Sequence, residues 1–138
     1  IKTNSPNLVV KGNAKIVNGD LSIESENLKN IDIIKVDVEG FEINVLEGIK
    51  NTIKQFKPFL ILEINDINEN SIKNLEDLKT FFPQDYIFRK ISFNRPKFLF
   101  FNDSRCKLQE ITRENIIGEV ICIPKNKSKK LYSLLHFY

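Results

Sequence analysis

The 138-residue sequence contains little cysteine and histidine and no long apolar run. No stretch approaches the roughly 20 consecutive apolar residues that a transmembrane helix needs, and the first residues do not have the basic-then-apolar layout of a signal peptide. These absences argue against a membrane-spanning or secreted protein. We therefore expect a soluble protein of the cytoplasm.

The two cysteines, Cys106 and Cys122, lack the CxxC spacing of a zinc or redox site. A reduced protein is therefore favoured over a disulfide scaffold, and both cysteines are interpreted as small apolar side chains. The single histidine, His136, is isolated in the sequence and does not indicate a catalytic role.

The net charge of +3 is small, and acidic residues are interleaved with the basic ones except near the C-terminus. Nucleic-acid-binding proteins typically concentrate basic residues on one surface, so we predict no nucleic-acid partner. With 41% hydrophobic and 28% charged residues, the composition is typical of a folded domain. A chain of this length can form one hydrophobic core.

The distribution of apolar residues divides the chain into three parts. Residues 1–30 form a polar lead-in whose short apolar pulses predict one or two strands joined by turns. The pulses fall at residues 8–10, 16–17 and 21–23. Residues 31–123 form the predicted α/β domain, and residues 124–138 form a basic-then-apolar tail.

The α/β prediction is based on a strand, a helix and a second strand in succession. Residues 31–38 are almost continuously apolar, which is typical of a strand buried on both faces. Apolar residues then recur at helical spacing over residues 41–56, and Pro58 ends that helix before a second buried strand at 59–64. A crossover of this length predicts parallel pairing with a right-handed connection.

Weaker patterns follow toward the C-terminus. They predict a helix at 71–82, strands at 86–93 and 97–101 flanking a turn at 94–96, a helical turn at 111–116 and a last strand at 118–123.

Acidic residues occupy the ends of the two buried strands. Asp37 and Glu39 lie at the carboxyl edge of the first strand in the stretch KVDVEG, and Glu63 lies at the equivalent edge of the next strand. Ligands bind at the carboxyl ends of parallel strands, and clustered like charges indicate a cation, a positively charged ligand, hydroxyl recognition or a raised pKa. Lys35 would offset part of the repulsion, and Gly40 permits a tight turn and close approach of a ligand.

Structural explanations remain open for several of these residues. Asp37 suits a helix cap, Lys35 suits a paired or snorkelling lysine, and Glu42 is favourable beside the positive end of the following helix. A structural role is harder to find for Glu63, because it lies in an otherwise apolar strand. A divalent metal at the acids lacks histidine support, so no metal site is predicted.

The segment IDIIKVDVEGFEINVLEGIKNTIKQFKPFLILEI closely resembles the central segment of FkbM-type S-adenosylmethionine-dependent methyltransferases. The matching positions are Asp32, Lys35, Asp37, Glu39, Gly40, Glu42, Val45, Leu46, Gly48, Pro58 and Glu63. The resemblance covers about a quarter of the chain, and so many residues at fixed spacings make it a specific signal.

The resemblance implies that the first predicted strand corresponds to the fourth strand of a Rossmann-like class I methyltransferase, with EVICIP as the closing antiparallel strand. Such enzymes bind the donor through a glycine-rich turn and an acidic residue on earlier strands. Neither is found before Ile31. The chain is therefore expected to be the C-terminal portion of the domain, without its N-terminal cofactor half, and to bind S-adenosylmethionine weakly or not at all.

The function implied by the resemblance is O-methylation of a hydroxyl on a sugar, glycolipid or secondary metabolite. The predicted catalytic residues are Asp37, Glu39, Glu63 and Lys35, and the predicted donor contacts are Asp37 and Gly40. The alternative is a non-catalytic or degenerate methyltransferase-like module that serves as a partner domain. The acceptor is expected to be a small molecule or glycan, and the oligomeric state is not encoded in any pattern.

The tail places a group of lysines before a group of apolar residues. These are Lys125, Lys127, Lys129 and Lys130, followed by Leu131, Tyr132, Leu134, Leu135 and Phe137. This order suits contact with an anionic membrane surface or a hydrophobic groove through residues 125–138. The simpler alternative is a solvated linker followed by a helix packed on its own domain.

Overall fold

The computed structural model describes residues 15–67, 71–94, 105–112 and 116–135. The helices are α1 (Gly19–Ser25), α2 (Glu42–Gly48), α3 (Lys50–Phe56), α4 (Leu75–Lys79) and α5 (Ser128–Leu135), and a 3-10 helix covers Lys125–Lys127. The strands are β1 (Ile33–Val36), β2 (Phe59–Ile64), β3 (Tyr86–Asn94), β4 (Arg105–Gln109) and β5 (Gly118–Pro124). The protein is therefore of mixed α/β class.

The strands form one five-stranded sheet in the order β1-β2-β5-β3-β4. β1 and β2 are parallel, which confirms the pairing predicted for the strand–helix–strand unit. β5 lies antiparallel to both of its neighbours, β2 and β3, and β4 is antiparallel to β3. The strands on either side of β5 therefore run in the same direction.

The main core cluster lies on one face of the sheet, where β2 alternates between fully and partly buried residues. Leu60, Leu62 and Ile64 have no exposed surface and belong to one cluster with Leu46 and Ile53 from the helices between β1 and β2. An aromatic group extends this cluster toward β3. It consists of Phe82, Tyr86 and Phe88, with ring centroids 4.9 to 6.5 Å apart.

β1 differs from the predicted strand, which was expected to be buried on both faces. It is shorter than predicted, and its burial rises from an exposed Ile33, with 62% of its surface accessible, to a buried Val36. The reason is its position: in the described part of the chain β1 is an edge strand, paired with β2 on one side. A continuous apolar run predicts burial but does not reveal which strands surround it.

The single helix predicted at 41–56 is interrupted at Ile49, which has φ −119° and ψ 18° and separates α2 from α3. The interruption coincides with a side-chain cap that comes from α1. The Asp20 carboxylate accepts hydrogen bonds from the backbone N–H groups of Asn51 and Thr52 and from the Thr52 hydroxyl, at 2.7 to 3.0 Å. The cap satisfies amide groups that the first turn of a new helix leaves without partners.

The lead-in also differs from the prediction. Residues 21–23, predicted as a strand, lie within α1, and residues 16–17 form no strand. The Asn18 side chain accepts a hydrogen bond from the backbone of Leu21, which starts the helix. Gly19 packs closely on the break between α2 and α3, since a Cβ atom there would lie 2.5 Å from Ile49 Cγ2. The pulse at 8–10 lies outside the described residues.

The elements toward the C-terminus follow the prediction in part. α4 is shorter than the helix predicted at 71–82 because Asn74 caps it, accepting hydrogen bonds from the first-turn amides of Glu76 and Asp77. The strands at 86–93 and 118–123 are confirmed, while the one predicted at 97–101 lies outside the described residues. In the helical turn predicted at 111–116, the described residues 111, 112 and 116 are not helical.

Cys122 lies in β5 and is fully buried in the core, as predicted for a small apolar residue. Burial raises the pKa of its thiol well above the ordinary value, so the thiol stays protonated and unreactive. The side chain of Cys106 lies outside the described residues.

The hydrogen bonds by which Asp20 caps α3 predict the effect of removing the Asp20 carboxylate. Burial raises the pKa of Asp20, but the hydrogen bonds from Thr52 and Asn51 outweigh it and hold the pKa below its ordinary value. We expect Asp20→Ala to lower the free energy of unfolding by about 1 to 2 kcal/mol in urea denaturation above about pH 4. The difference from wild type should shrink as the pH falls through the lowered pKa, because the ionised carboxylate accepts these hydrogen bonds more strongly than the protonated carboxyl does.

Glu24→Ala, an exposed position on the same helix, serves as the matched control and should change stability by less than about 0.5 kcal/mol. Equal effects of the two substitutions would contradict the capping role of Asp20.

Candidate active site

The acidic residues predicted from the strand ends lie at one edge of the sheet. The parallel register pairs Val36 with Leu62, so Asp37 and Glu63 are the next residues on neighbouring strands. Glu63 also lies directly opposite Glu119 on β5. We call the group Asp37, Glu39, Glu63 and Glu119 the carboxylate rim.

Lys35 neutralises part of the rim. Its Nζ lies 2.7 Å from Asp37 Oδ2, and the two side chains are 56% and 37% exposed. The hydrogen bond and the attraction between the charges raise the pKa of Lys35 and lower that of Asp37. Asp37 is therefore ionised at neutral pH and is a poor proton acceptor.

Glu63 is in the opposite electrostatic situation. The negative charge of Asp37, followed by burial, raises the pKa of Glu63 above its ordinary value, and Glu39 and Glu119 act in the same direction. Lys35 reduces this effect without cancelling it. Two adjacent carboxylates at the same edge therefore differ in proton affinity, a pattern typical of sites where one carboxyl transfers a proton.

Glu119 was not among the residues predicted from the sequence. It lies at the start of β5, and only the antiparallel register with β2 brings it beside Glu63. Lys90 on β3 approaches the same place: a Cβ atom at Gly118 would lie 2.7 Å from Lys90 Nζ. Burial lowers the pKa of Lys90, and the charge of Glu119 partly restores it. Glu119 could have been predicted as a site residue only if the register between β2 and β5 had been known, because that register pairs it with Glu63.

A tight turn connects β1 to α2. Glu39 and Gly40 both have positive φ values, 49° and 94°, a conformation that glycine adopts without a steric penalty. The Glu42 side chain is 1% exposed and accepts a hydrogen bond of 2.9 Å from the Gly40 amide. Glu42 therefore holds the turn in place, in addition to lying at the positive end of α2 as expected.

The structure does not support the capping alternative for Asp37. The N-cap residue of α2 is Phe41, which makes no side-chain capping hydrogen bond, and the Asp37 carboxylate is bonded to Lys35 instead. Asp37 therefore does not cap α2 and belongs to the rim.

Among the described residues before β1, no glycine-rich turn connects a strand to a helix. Before β1 they form α1 without a preceding strand, and Gly19 is used for packing on Ile49 rather than for a phosphate- or ligand-binding turn. Within the same residues, no group of three histidine, cysteine or acidic side chains is arranged to hold a metal ion. No helix among them is long and apolar enough to cross a membrane.

Comparison with protein families identifies the domain. Residues 15–97, more than half of the chain, match the model of the methyltransferase FkbM domain. The chain belongs to the FkbM methyltransferase family. The segment that resembled this family in sequence therefore provides β1, α2, α3, β2 and the first part of the carboxylate rim.

A curated relative is the hexuronic acid methyltransferase AglP of Haloferax volcanii. The two sequences are 39% identical over 51 residues, which is 37% of this chain and 21% of the relative. The matched region thus spans about a fifth of the length of that protein. No solved structure matches the chain.

The ion pair in the rim predicts the effect of removing the positive charge of Lys35. We expect Lys35→Gln to raise the pKa of Asp37 toward its ordinary value and to raise the pKa of Glu63 further, because Lys35 lowers both. Carboxyl-detected NMR titration of the two side chains measures this directly. Lys107→Gln, an exposed lysine on β4, is the control and should leave both values unchanged. Unchanged pKa values in Lys35→Gln would show that the ion pair is not formed in solution.

Proposed function

We propose that this chain forms the C-terminal part of an S-adenosylmethionine-dependent O-methyltransferase that acts on a hydroxyl of a sugar, glycolipid or secondary metabolite. The observation that carries the proposal is the carboxylate rim, in which a carboxyl of raised proton affinity, Glu63, lies beside an ionised one, Asp37. Family membership supports methyl transfer, and the rim supports an acceptor that presents hydroxyl groups.

The arrangement of the sheet is consistent with the later half of a Rossmann-like methyltransferase. β1 and β2 are parallel and are joined by α2 and α3, and β5 enters the sheet antiparallel to its neighbours. These features support the proposed assignment of β1, β2 and β5 to the fourth strand, the next strand and the closing strand of the family pattern. Ligands of such sheets bind at the carboxyl ends of the parallel strands, where the rim lies.

The acceptor side of the reaction can be described from the rim residues. A hydroxyl is a weak nucleophile, and a carboxylate within hydrogen-bonding distance assists it by taking its proton as the oxygen attacks. Asp37 is occupied by Lys35 and has a lowered pKa, whereas Glu63 has a raised one. We therefore assign the role of proton acceptor to Glu63. Asp37 and Glu39 are assigned the orientation of neighbouring hydroxyls.

The donor side requires residues beyond those described. Asp37 directly follows β1 and Gly40 lies in the turn to α2, where they would border the donor. S-adenosylmethionine supplies a methyl group on a positively charged sulfur, and an acidic rim would attract that charge as the donor binds. Because no strand and glycine-rich turn precede β1 in the described residues, no step through the donor is assigned to this chain alone.

The electrostatics of the rim also limit how an acceptor can approach. Carboxylates accept hydrogen bonds from hydroxyls but repel an anionic substituent. A uronic acid, the class named for the relative AglP, would therefore present its hydroxyls to Glu63 and turn its own carboxylate toward Lys35 or Lys90. Sugars without a carboxylate would meet no such restriction.

The incomplete donor site leads to a direct binding test. In calorimetric titration of S-adenosylmethionine into this chain, we expect no micromolar binding, since the described residues before β1 form no donor-binding turn. A longer protein that joins this segment to a donor-binding half is the positive control. Micromolar binding by the chain alone would overturn the half-domain assignment and make the rim part of a complete donor site.

The assignment of the proton acceptor is tested in such a longer protein. Glu63→Gln keeps the size and hydrogen-bonding capacity of the side chain but cannot take a proton, so we expect kcat to fall by about 100-fold or more with little change in KM. Glu76→Gln, on the exposed surface of α4, is the control and should retain full turnover. An unchanged kcat in Glu63→Gln would show that Glu63 is not the proton acceptor. Full binding of donor without turnover in the wild type would favour a non-catalytic module.

A further inference from the structure

The end of the sheet opposite the carboxylate rim is rich in lysine. Lys57, the residue after α3, pairs with Asp85 at 2.5 Å, and the carbonyl oxygen of Asp85 accepts a hydrogen bond of 2.8 Å from the Lys125 amide. Lys127 Nζ donates a hydrogen bond of 3.4 Å to the carbonyl oxygen of Phe56, the last residue of α3. These contacts join the tail to the end of α3, although the two are about 70 residues apart in the sequence.

The result is one basic surface built from two distant segments. We define it as Lys54 and Lys57 at the end of α3 together with Lys125, Lys127 and Lys129 of the tail. Lys54, Lys125 and Lys129 are exposed, and Asp85 neutralises Lys57. The hydrogen bond from Lys57 lowers the pKa of Asp85, with a further contribution from Lys125. Lys54, Lys125 and Lys129 form no ion pair with another described residue, so the surface keeps a net positive charge.

Apolar groups lie next to this basic surface. A cleft of about 500 Å³ runs between the lysine side of α3 and the segment 80–83, where it is lined by Phe81, Phe82 and Pro83. The tail continues directly into α5, whose Leu131 and Tyr132 are partly exposed. Lysines that flank aromatic and aliphatic side chains at the start of an amphipathic helix are typical of segments that lie on anionic bilayers.

We propose that this basic surface docks the protein on membranes that contain anionic lipids. A bilayer is favoured over nucleic acid because apolar side chains accompany the lysines and because the chain as a whole carries a net charge of only +3, with an acidic rim at the other end of the sheet. The proposal goes beyond the proposed methyl transfer, since the surface lies outside the carboxylate rim and shares no residue with it.

The position of the surface determines how the docked protein would be oriented. β2 begins beside the basic surface and reaches Glu63 four residues later, which is about 13 Å of extended strand. A bilayer that attracts the lysines therefore contacts the end of the sheet away from the rim. The rim faces the aqueous side, where it avoids repulsion from anionic headgroups.

Vesicle cosedimentation tests the proposal with the chain itself. The chain should sediment with vesicles of phosphatidylcholine mixed with phosphatidylserine, and not with vesicles of phosphatidylcholine alone. Each exposed lysine near an anionic surface contributes a factor of about five to partitioning. Replacing Lys54, Lys125 and Lys129 together by glutamate should therefore reduce binding by about 100-fold or more, and salt should weaken the wild-type binding.

The matched control replaces three exposed lysines elsewhere, Lys15, Lys73 and Lys107, by glutamate. It makes the same change in net charge but should retain most of the vesicle binding. Circular dichroism establishes that both triple variants are folded. Equal loss in the two variants would show that only the net charge matters and would overturn the proposal.

A single substitution distinguishes vesicle binding through both segments of the basic surface from binding through the tail alone. Lys54→Glu leaves residues 124–138 intact and should still reduce vesicle binding severalfold, because Lys54 lines the same cleft as Lys57. Wild-type binding by Lys54→Glu would restrict the contact to the tail and contradict the surface defined here. Absence of vesicle binding in the wild type, or preferential binding of the wild type to single- or double-stranded DNA over vesicles, would refute the proposal outright.

Discussion

The position of β2 between a parallel and an antiparallel neighbour is the constraint on which the rest of the structure depends. One face of the strand, with Leu60, Leu62 and Ile64, is fully buried and holds α2, α3 and α4 against the sheet. The register of the strand with β1 and β5 brings Glu63 next to Asp37 and opposite Glu119. The same pairing that forms the core therefore assembles the carboxylate rim, because strand register determines which side chains meet.

Acidic and basic side chains are concentrated at opposite ends of the sheet rather than spread evenly over the surface. The carboxylate rim gathers acids at the carboxyl ends of β1 and β2, and the basic surface gathers lysines where β2 begins and β5 ends. Within the rim, Lys35 takes up the charge of Asp37, so that the remaining repulsion acts on Glu63. A small net charge thus conceals two regions of opposite sign, each suited to a different kind of contact.

Several features could be predicted because they depend on neighbours in the sequence. The strand of β2, the parallel unit with β1 and the last strand follow from short apolar runs, and the acids at the strand ends were recognised from the stretch KVDVEG and from Glu63. Other features could not. α1 begins at an Asn18 cap that was not recognised, and Asp20 reaches more than 30 residues forward to cap α3 and divide the predicted helix.

The sequence by itself determined the α/β class, the family and the acidic residues of β1 and β2, because periodicity and fixed spacings are local properties. Only the tertiary structure decided that β1 is an edge strand in the described part of the chain, that Glu119 joins the rim and that the end of α3 meets the lysines of the tail. These outcomes depend on strand order, register and the path of the chain between distant segments. They are set by packing energies summed over the whole core, which no local pattern contains.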